Sequence, residues 1–205
     1  MFNLTLSSTR VTANVIERLL KSNLSTEGIE HIPKSGPVLF LINHFTRAEA
    51  FLVPYVIDKC TGDYPASLAH HSLFKGLLAE YFQRMSVVST REKDRDSIII
   101  GDLLTGSRRW LIYPEGSMIK SKKLIKGRKL HLTTPDRIGP PHTGAAMLAL
   151  KTEYWRREML RALGKNEVDQ VMSILHRFNL QAPDDVDPTP LTIIPVTITY
   201  YPLRP

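Results

Sequence analysis

His44 and Glu49, five residues apart in "FLINHFTRAEAF" (40–51), form the first pair in the chain that could move a proton. A neutral imidazole with an ordinary pKa near ~6.5 accepts a proton at neutral pH. A carboxylate on its other ring nitrogen fixes the tautomer and stabilises the imidazolium that forms. Five positions along an ideal helix turn through roughly 140°, so the two side chains would not share a helix face. They meet if His44 lies in a turn and the helix starts after it. A second reading needs no chemistry. Thr46-Arg47-Ala48-Glu49 matches the S/T-x-x-E capping box, in which Thr46 caps a helix and Glu49 reaches back to it. On the residues alone, both readings stand.

Two further polar clusters follow apolar runs. Glu115-Gly116-Ser117 ends "WLIYPEGS", and Arg91 comes just after "SVVST". Ligands of open α/β sheets bind beyond the carboxyl ends of the strands, so parallel strands would bring these clusters and Asn43-His44 to one rim. The remaining histidines (His31, His70, His71, His131, His142 and His176) lack metal-ligand spacing and read as surface or packing residues. Cys60 is alone, which leaves neither a disulfide framework nor a Cys-based metal site and fits a reducing, cytosolic setting. Ser117 does not sit in a G-x-S-x-G nucleophile elbow. There is no G-x-G-x-x-G and no phosphate-binding loop spacing, so nucleotide cofactors are not indicated.

The elements that must position these residues read as alternating strands and helices. Short apolar runs bounded by turns mark strands at 38–43, 64–70, 84–90, 109–116 and 191–200. Helical spacing marks 10–21, about 47–59, 72–82, weakly 96–107, 143–163 and 167–178. In the helix over 143–163, Leu148, Thr152, Trp155, Met159 and Ala162 form one stripe, with charge expected on the other side. The alternation predicts an α/β fold with a mostly parallel sheet flanked by helices. With 205 residues the chain fits one domain, 1–205, opened by an N-terminal amphipathic region over 1–27. It stops five residues after the last strand, where a closing helix is expected, which reads as a truncated C-terminal end.

Lys and Arg number 27 against 20 Asp and Glu, a net +7 that favours an anionic partner: nucleic acid, an anionic membrane surface or a phosphorylated ligand. The run "KSKKLIKGRK" (120–129) carries much of that charge and no acid. No apolar run approaches the ~20 residues of a membrane span, and no secretory leader is legible. A nucleic-acid module would rest on net charge alone, because no recognition motif or aromatic platform accompanies it, so no nucleic acid is expected.

Taken in order, these residues resemble the glycerolipid acyltransferases of the lysophosphatidic acid acyltransferase type. Asn43-His44 with an acid five residues after the His is similar to their N-H-x-x-x-x-D. "YPEGS" (113–117) is similar to F/Y-P-E-G-T/S-R, and Arg91 stands where a second motif ends in Arg. "TIIPVTI" supplies a Pro-Val at Pro195-Val196, and "HTGAAMLAL" resembles the helix after the third motif. The resemblance runs over residues 28–200. It implies a glycerol-3-phosphate acyltransferase-like sheet flanked by helices, and transfer of a fatty acyl group from acyl-CoA or acyl carrier protein to a hydroxyl of a glycerolipid or lysophospholipid. It further implies no metal and no cofactor beyond that co-substrate. Carried over, His44 would be the general base and Glu49 its orienting carboxylate. Arg91, Glu115, Gly116 and Ser117 would hold the acceptor, and Pro195 would shape the acyl-donor side.

Three departures bear on the acceptor more than on the reaction class. Glu49 stands where the family usually has Asp, Met118 where it usually has Arg, and the span from Glu115 to Gly144 is longer and more basic than usual. Lys120, Lys122 or Lys123 would be candidates to replace the missing charge. A non-catalytic acyl- or lipid-binding protein on the same scaffold is the alternative these departures raise. The basic helix at 10–21 and the 120–129 run would seat the protein on anionic lipid, at about 1 kcal/mol per basic residue near the surface. The expected location is cytoplasmic and peripheral on the inner face of a membrane.

Overall fold

The computed structural model describes residues 25–46, 49–74, 80, 82, 84–118, 125–126, 129–130, 132–133, 138–140 and 142–200. The expected helix at 10–21, about half of that at 72–82 and most of the basic run at 120–129 lie outside them. Within the described residues the main sheet has five strands: β1 (Val38–Ile42), β2 (Ala66–Ala69), β3 (Val87–Ser89), β4 (Trp110–Ile112) and β9 (Thr192–Val196). Their order is β3-β2-β4-β1-β9 and every pairing is parallel. Two antiparallel ladders, β5 (Ile125–Lys126) with β6 (Lys129–Leu130) and β7 (Leu132–Thr133) with β8 (Ile138–Gly139), lie apart from it. The α/β expectation is met, with each strand shorter than its apolar run.

The sheet is buried on both faces because β1 and β4 carry side chains for both. Leu39, Trp110 and Ile112 enter a core with helices α2 (Arg95–Thr105), α3 (Gly144–Gly164) and α4 (Val168–Phe178). Val38, Phe40, Ile42 and Leu111 enter a second core with Val53 and Ile57 of helix α1 (Glu49–Thr61). A two-residue side-chain period in a doubly covered strand leaves no polar positions, which is why β1 reads as an unbroken apolar run.

Strand β9 closes the edge beside β1, and its sequence suits an edge. Thr192 N–H donates to the Pro37 carbonyl, so the alternation turns the nitrogens of Ile194 and Val196 toward β1 and that of Pro195 outward. Proline therefore costs no ladder bond there. Past the last paired residue, the Asn43 side chain continues the join. Its carbonyl accepts Ile198 N–H at 2.7 Å and its amide donates to Ile198 C=O at 3.2 Å.

Two buried arginines tie the sheet to its connections. Arg109, just before β4, donates to the carbonyls of Pro33 and Lys34 at 2.9 and 3.1 Å and so fixes the lead-in to β1. Arg156 of α3 is an exception to the expectation of charge on the outer side of that helix, for it is 2% exposed, whereas Lys151, Arg157 and Arg161 are exposed as expected. Arg156 donates to Leu103 C=O at 3.0 Å and Asp187 C=O at 2.9 Å and pairs with Glu153, whose carboxylate also accepts Leu191 N–H at 2.7 Å. Beside the exposed charges, α3 also carries exposed Met147, Leu150 and Tyr154. Arg156 turned inward because two carbonyls at the end of α2 and the approach to β9 need a donor that no apolar residue supplies.

Arg156→Met keeps most of the side-chain volume but leaves those carbonyls and Glu153 without their donor. The expected loss is about 3 kcal/mol, read from urea unfolding. A loss under about 0.5 kcal/mol would show the clamp to be dispensable.

Candidate active site at the carboxyl rim

The parallel order places the ends of β1 and β4 side by side, and their following turns converge. After β1, Asn43 is held to Ile198, so the chain leaves the sheet at a fixed angle and presents His44. After β4, Tyr113-Pro114-Glu115-Gly116 forms a tight turn, closed by Gly116 N–H donating to Tyr113 C=O at 3.0 Å. Proline suits the second position of such a turn, and glycine suits the last, where φ is +71°. Gly116 is required for a second reason. A Cβ there would lie 2.9 Å from Cδ2 of the His142 ring. His142, read from the sequence as a surface or packing residue, thus packs against the turn just before α3 begins.

His44 Nδ1 lies 2.8 Å from Glu49 Oε2. A carboxylate offers no proton, so Nδ1–H donates, and among the described residues no hydrogen bond reaches Nε2. The same Oε2 accepts Phe45 N–H at 2.7 Å, and Oε1 accepts the Tyr200 hydroxyl at 2.8 Å. One carboxylate therefore reaches back to the backbone before α1 and orients His44. The backbone donor is Phe45, one residue earlier than a capping box on Thr46 requires. Thr46 Oγ1 instead lies 3.2 Å from Tyr200 Oη. Glu49 is fully buried, and three donors offset the several kcal/mol that removing a carboxylate from water costs.

Tyr113 holds this pair from the β4 side. Its ring stacks on His44 with centroids 4.4 Å apart, and its hydroxyl donates to the Glu49 carbonyl at 3.0 Å. Burial, and then the neighbouring Glu49 charge, push its hydroxyl above the ordinary range, so it stays a donor. Partial burial does the same for Tyr200, helped by its bond to Glu49 and opposed by that from Thr46. Neither tyrosine stood out in the sequence. For Tyr113 the signal was its place before Pro-Glu-Gly; for Tyr200, 151 residues from its partner, there was none.

Glu115 comes to the same place. Burial raises its carboxyl above the ordinary 4.5, opposed by its own backbone N–H, by the neighbouring His44 imidazole and by the His44 backbone N–H. Its Oε2 is buried with no hydrogen-bond partner among the described residues. Ser117 follows, half-buried, on the same turn. Arg91 lies on the same rim but beyond the end of β3, which β2 and β4 separate from β1, and it is exposed. No described contact joins it to His44 or Glu115. Pro195 pairs in register with Leu41 on the sheet edge and is exposed there. Among the described residues, no three His, Cys, Asp or Glu side chains are grouped so as to hold a metal ion. No described helix is long and apolar enough to cross a membrane.

Because Glu115 binds its proton more readily folded than unfolded, its contribution to stability is fully present below pH 4.5 and is lost as pH rises through the raised value. Glu115→Gln should remove that fall. Unfolding free energies measured across this acid range should decline less steeply for the variant than for the wild type. Parallel curves would show that burial does not perturb the carboxyl.

The family model described as Acyltransferase matches residues 23–199, a span that holds all five strands of the main sheet and both turns of the rim. No curated protein and no solved structure matches the chain. Acyl transfer is the chemistry that such a match supports, with lipid metabolism as its setting. By that match over most of its length, the chain belongs to the acyltransferase family.

Proposed function

We propose that the protein transfers a fatty acyl group from acyl-CoA or acyl carrier protein to a hydroxyl of a glycerolipid or lysophospholipid, as a 1-acylglycerol-3-phosphate acyltransferase-like O-acyltransferase. The observation that carries this reading is the His44–Glu49 pair at the carboxyl rim, with Nδ1 occupied by the carboxylate and Nε2 left to take a proton.

His44 Nε2 removes the proton of the acceptor hydroxyl as its oxygen attacks the thioester carbonyl. Glu49 stabilises the imidazolium and keeps the ring in register. The tetrahedral intermediate collapses, the C–S bond breaks, and His44 returns the proton to the departing thiolate. The products are an oxygen ester and a free thiol. A thioester is already activated, so one base and a held acceptor suffice. Glu115, Gly116 and Ser117 form the acceptor side next to His44. Arg91 meets the acceptor's phosphate from farther along the rim, and Pro195 belongs to the acyl-donor side. The basic run at 120–129 draws the protein to anionic lipid, which makes it a peripheral protein of the inner, cytoplasmic membrane face.

Thiol release from acyl-CoA and from acyl carrier protein, with lysophosphatidic acid and other lysolipids as acceptors, tests this reading. His44→Ala should lower kcat by about 10²–10⁴-fold. Background rates for both proteins with every donor and acceptor would reject the enzyme. Glu49→Gln should fold, since an amide oxygen can still accept Phe45 N–H and the Tyr200 hydroxyl can reverse to accept the amide. Its kcat should nevertheless fall about 10²-fold, because the imidazolium loses its counter-charge. An unchanged rate would leave Glu49 a purely structural residue.

A further inference from the structure

Glu49 carries one methylene more than the Asp usual at its position, and the extra length has a physical consequence. The last torsion of a Glu side chain, unlike those before it, has a broad and shallow energy profile. A carboxylate held through one oxygen can therefore swing and take His44 with it. Here Oε2 is held by His44 and Phe45, and among the described residues the sole donor to Oε1 is the Tyr200 hydroxyl. Donors on both oxygens fix the carboxylate plane.

Tyr200 is itself held for this task. Since it donates to Glu49, its oxygen accepts from Thr46 Oγ1 at 3.2 Å, so the bonds run Thr46 to Tyr200 to Glu49. Two residues upstream, Ile198 is bound to both ends of the Asn43 amide. The strand end that carries Tyr200 is thereby registered against the strand end that carries His44. The hydroxyl does not contact His44 and has no described contact with Glu115.

We infer that Tyr200 is a positioning residue for the His44–Glu49 pair, acting through Oε1 of Glu49 to hold the carboxylate that orients the imidazole. The inference rests on the acyl-transfer reading for its consequence in turnover, but its geometry stands apart from that reading. It also accounts for how a longer acid occupies the place of Asp: the added freedom is removed by a third donor from the segment after β9.

Tyr200→Phe keeps the ring and removes only the hydroxyl. The expected result is a fall in kcat of about 10-fold, the size of one hydrogen bond to a charged group, with KM within about twofold. In a Glu49→Ala background, which leaves Tyr200 no side chain to hold, the same substitution should cost nothing further, because residues that act through one group are not additive. The proton NMR resonance of His44 Nδ1–H should be sharp in the wild type and shifted or broadened in Tyr200→Phe. Wild-type kcat in Tyr200→Phe, a full additional loss in the double variant, or an unmoved resonance would each overturn the inference. If the wild type turns over no donor with any acceptor, the acyl-transfer reading falls, and the resonance alone decides the role of Tyr200. An equal thermal midpoint for wild type and Tyr200→Phe excludes global unfolding as the cause of any loss.

Discussion

A buried carboxylate governs the arrangement of the rim. Glu49 takes hydrogen bonds from the loop after β1, from the turn's own backbone and from the segment after β9. Two of these donors, His44 and Phe45, adjoin in the loop after β1, the third, Tyr200, follows β9, and none lies in α1 itself. Removing a carboxylate from water costs several kcal/mol, and only simultaneous donors offset it. The first turn of α1 therefore holds its place because the loop after β1 and the segment after β9 are in theirs, and they hold theirs partly because the carboxylate is there.

That mutual dependence needs a rigid base, and the sheet supplies it without polar help. β1 is covered by α1 on one face and by the α2–α4 layer on the other, so its register is set by apolar packing. Several polar groups act near strand ends and their connections. Asn43 extends the β1–β9 join beyond its last pair, Arg109 secures the lead-in to β1, and Arg156 ties α3 to the end of α2 and the approach to β9. The same division collects polar side chains at the rim, because backbone leaving a doubly buried strand must find new partners at once.

Much of this was legible in the residues. Short apolar runs separated by helical periods led to a parallel α/β sheet because a doubly covered strand has no polar positions to obscure it. The closeness of His44, Glu49 and Glu115 was also legible, since His44 and Glu115 follow runs that end on one rim and Glu49 follows His44 by five residues. The two readings of Thr46 to Glu49 could not be separated in the sequence, and the structure explains why. Glu49 reaches back to the backbone as a capping acid does, yet to Phe45, and with the same oxygen it meets His44. One charge of α3 departs for a different reason: Arg156 looks like surface charge until the carbonyls it serves are in place.

The order of apolar runs and turn residues determined, by itself, the class of fold, the rim where polar residues collect, and the family motifs that lie along it. Those signals are local, carried by residue types a few positions apart. Only the tertiary structure decided which strands are neighbours, and therefore that Tyr113 stacks on His44 and Tyr200 completes the shell of Glu49 from 151 residues away. It also decided that Arg91 stands strands away from the His44–Glu49 pair. A hydrogen bond depends on distance in space, and no pattern within one stretch of chain records which distant carbonyl or hydroxyl packing will bring to it.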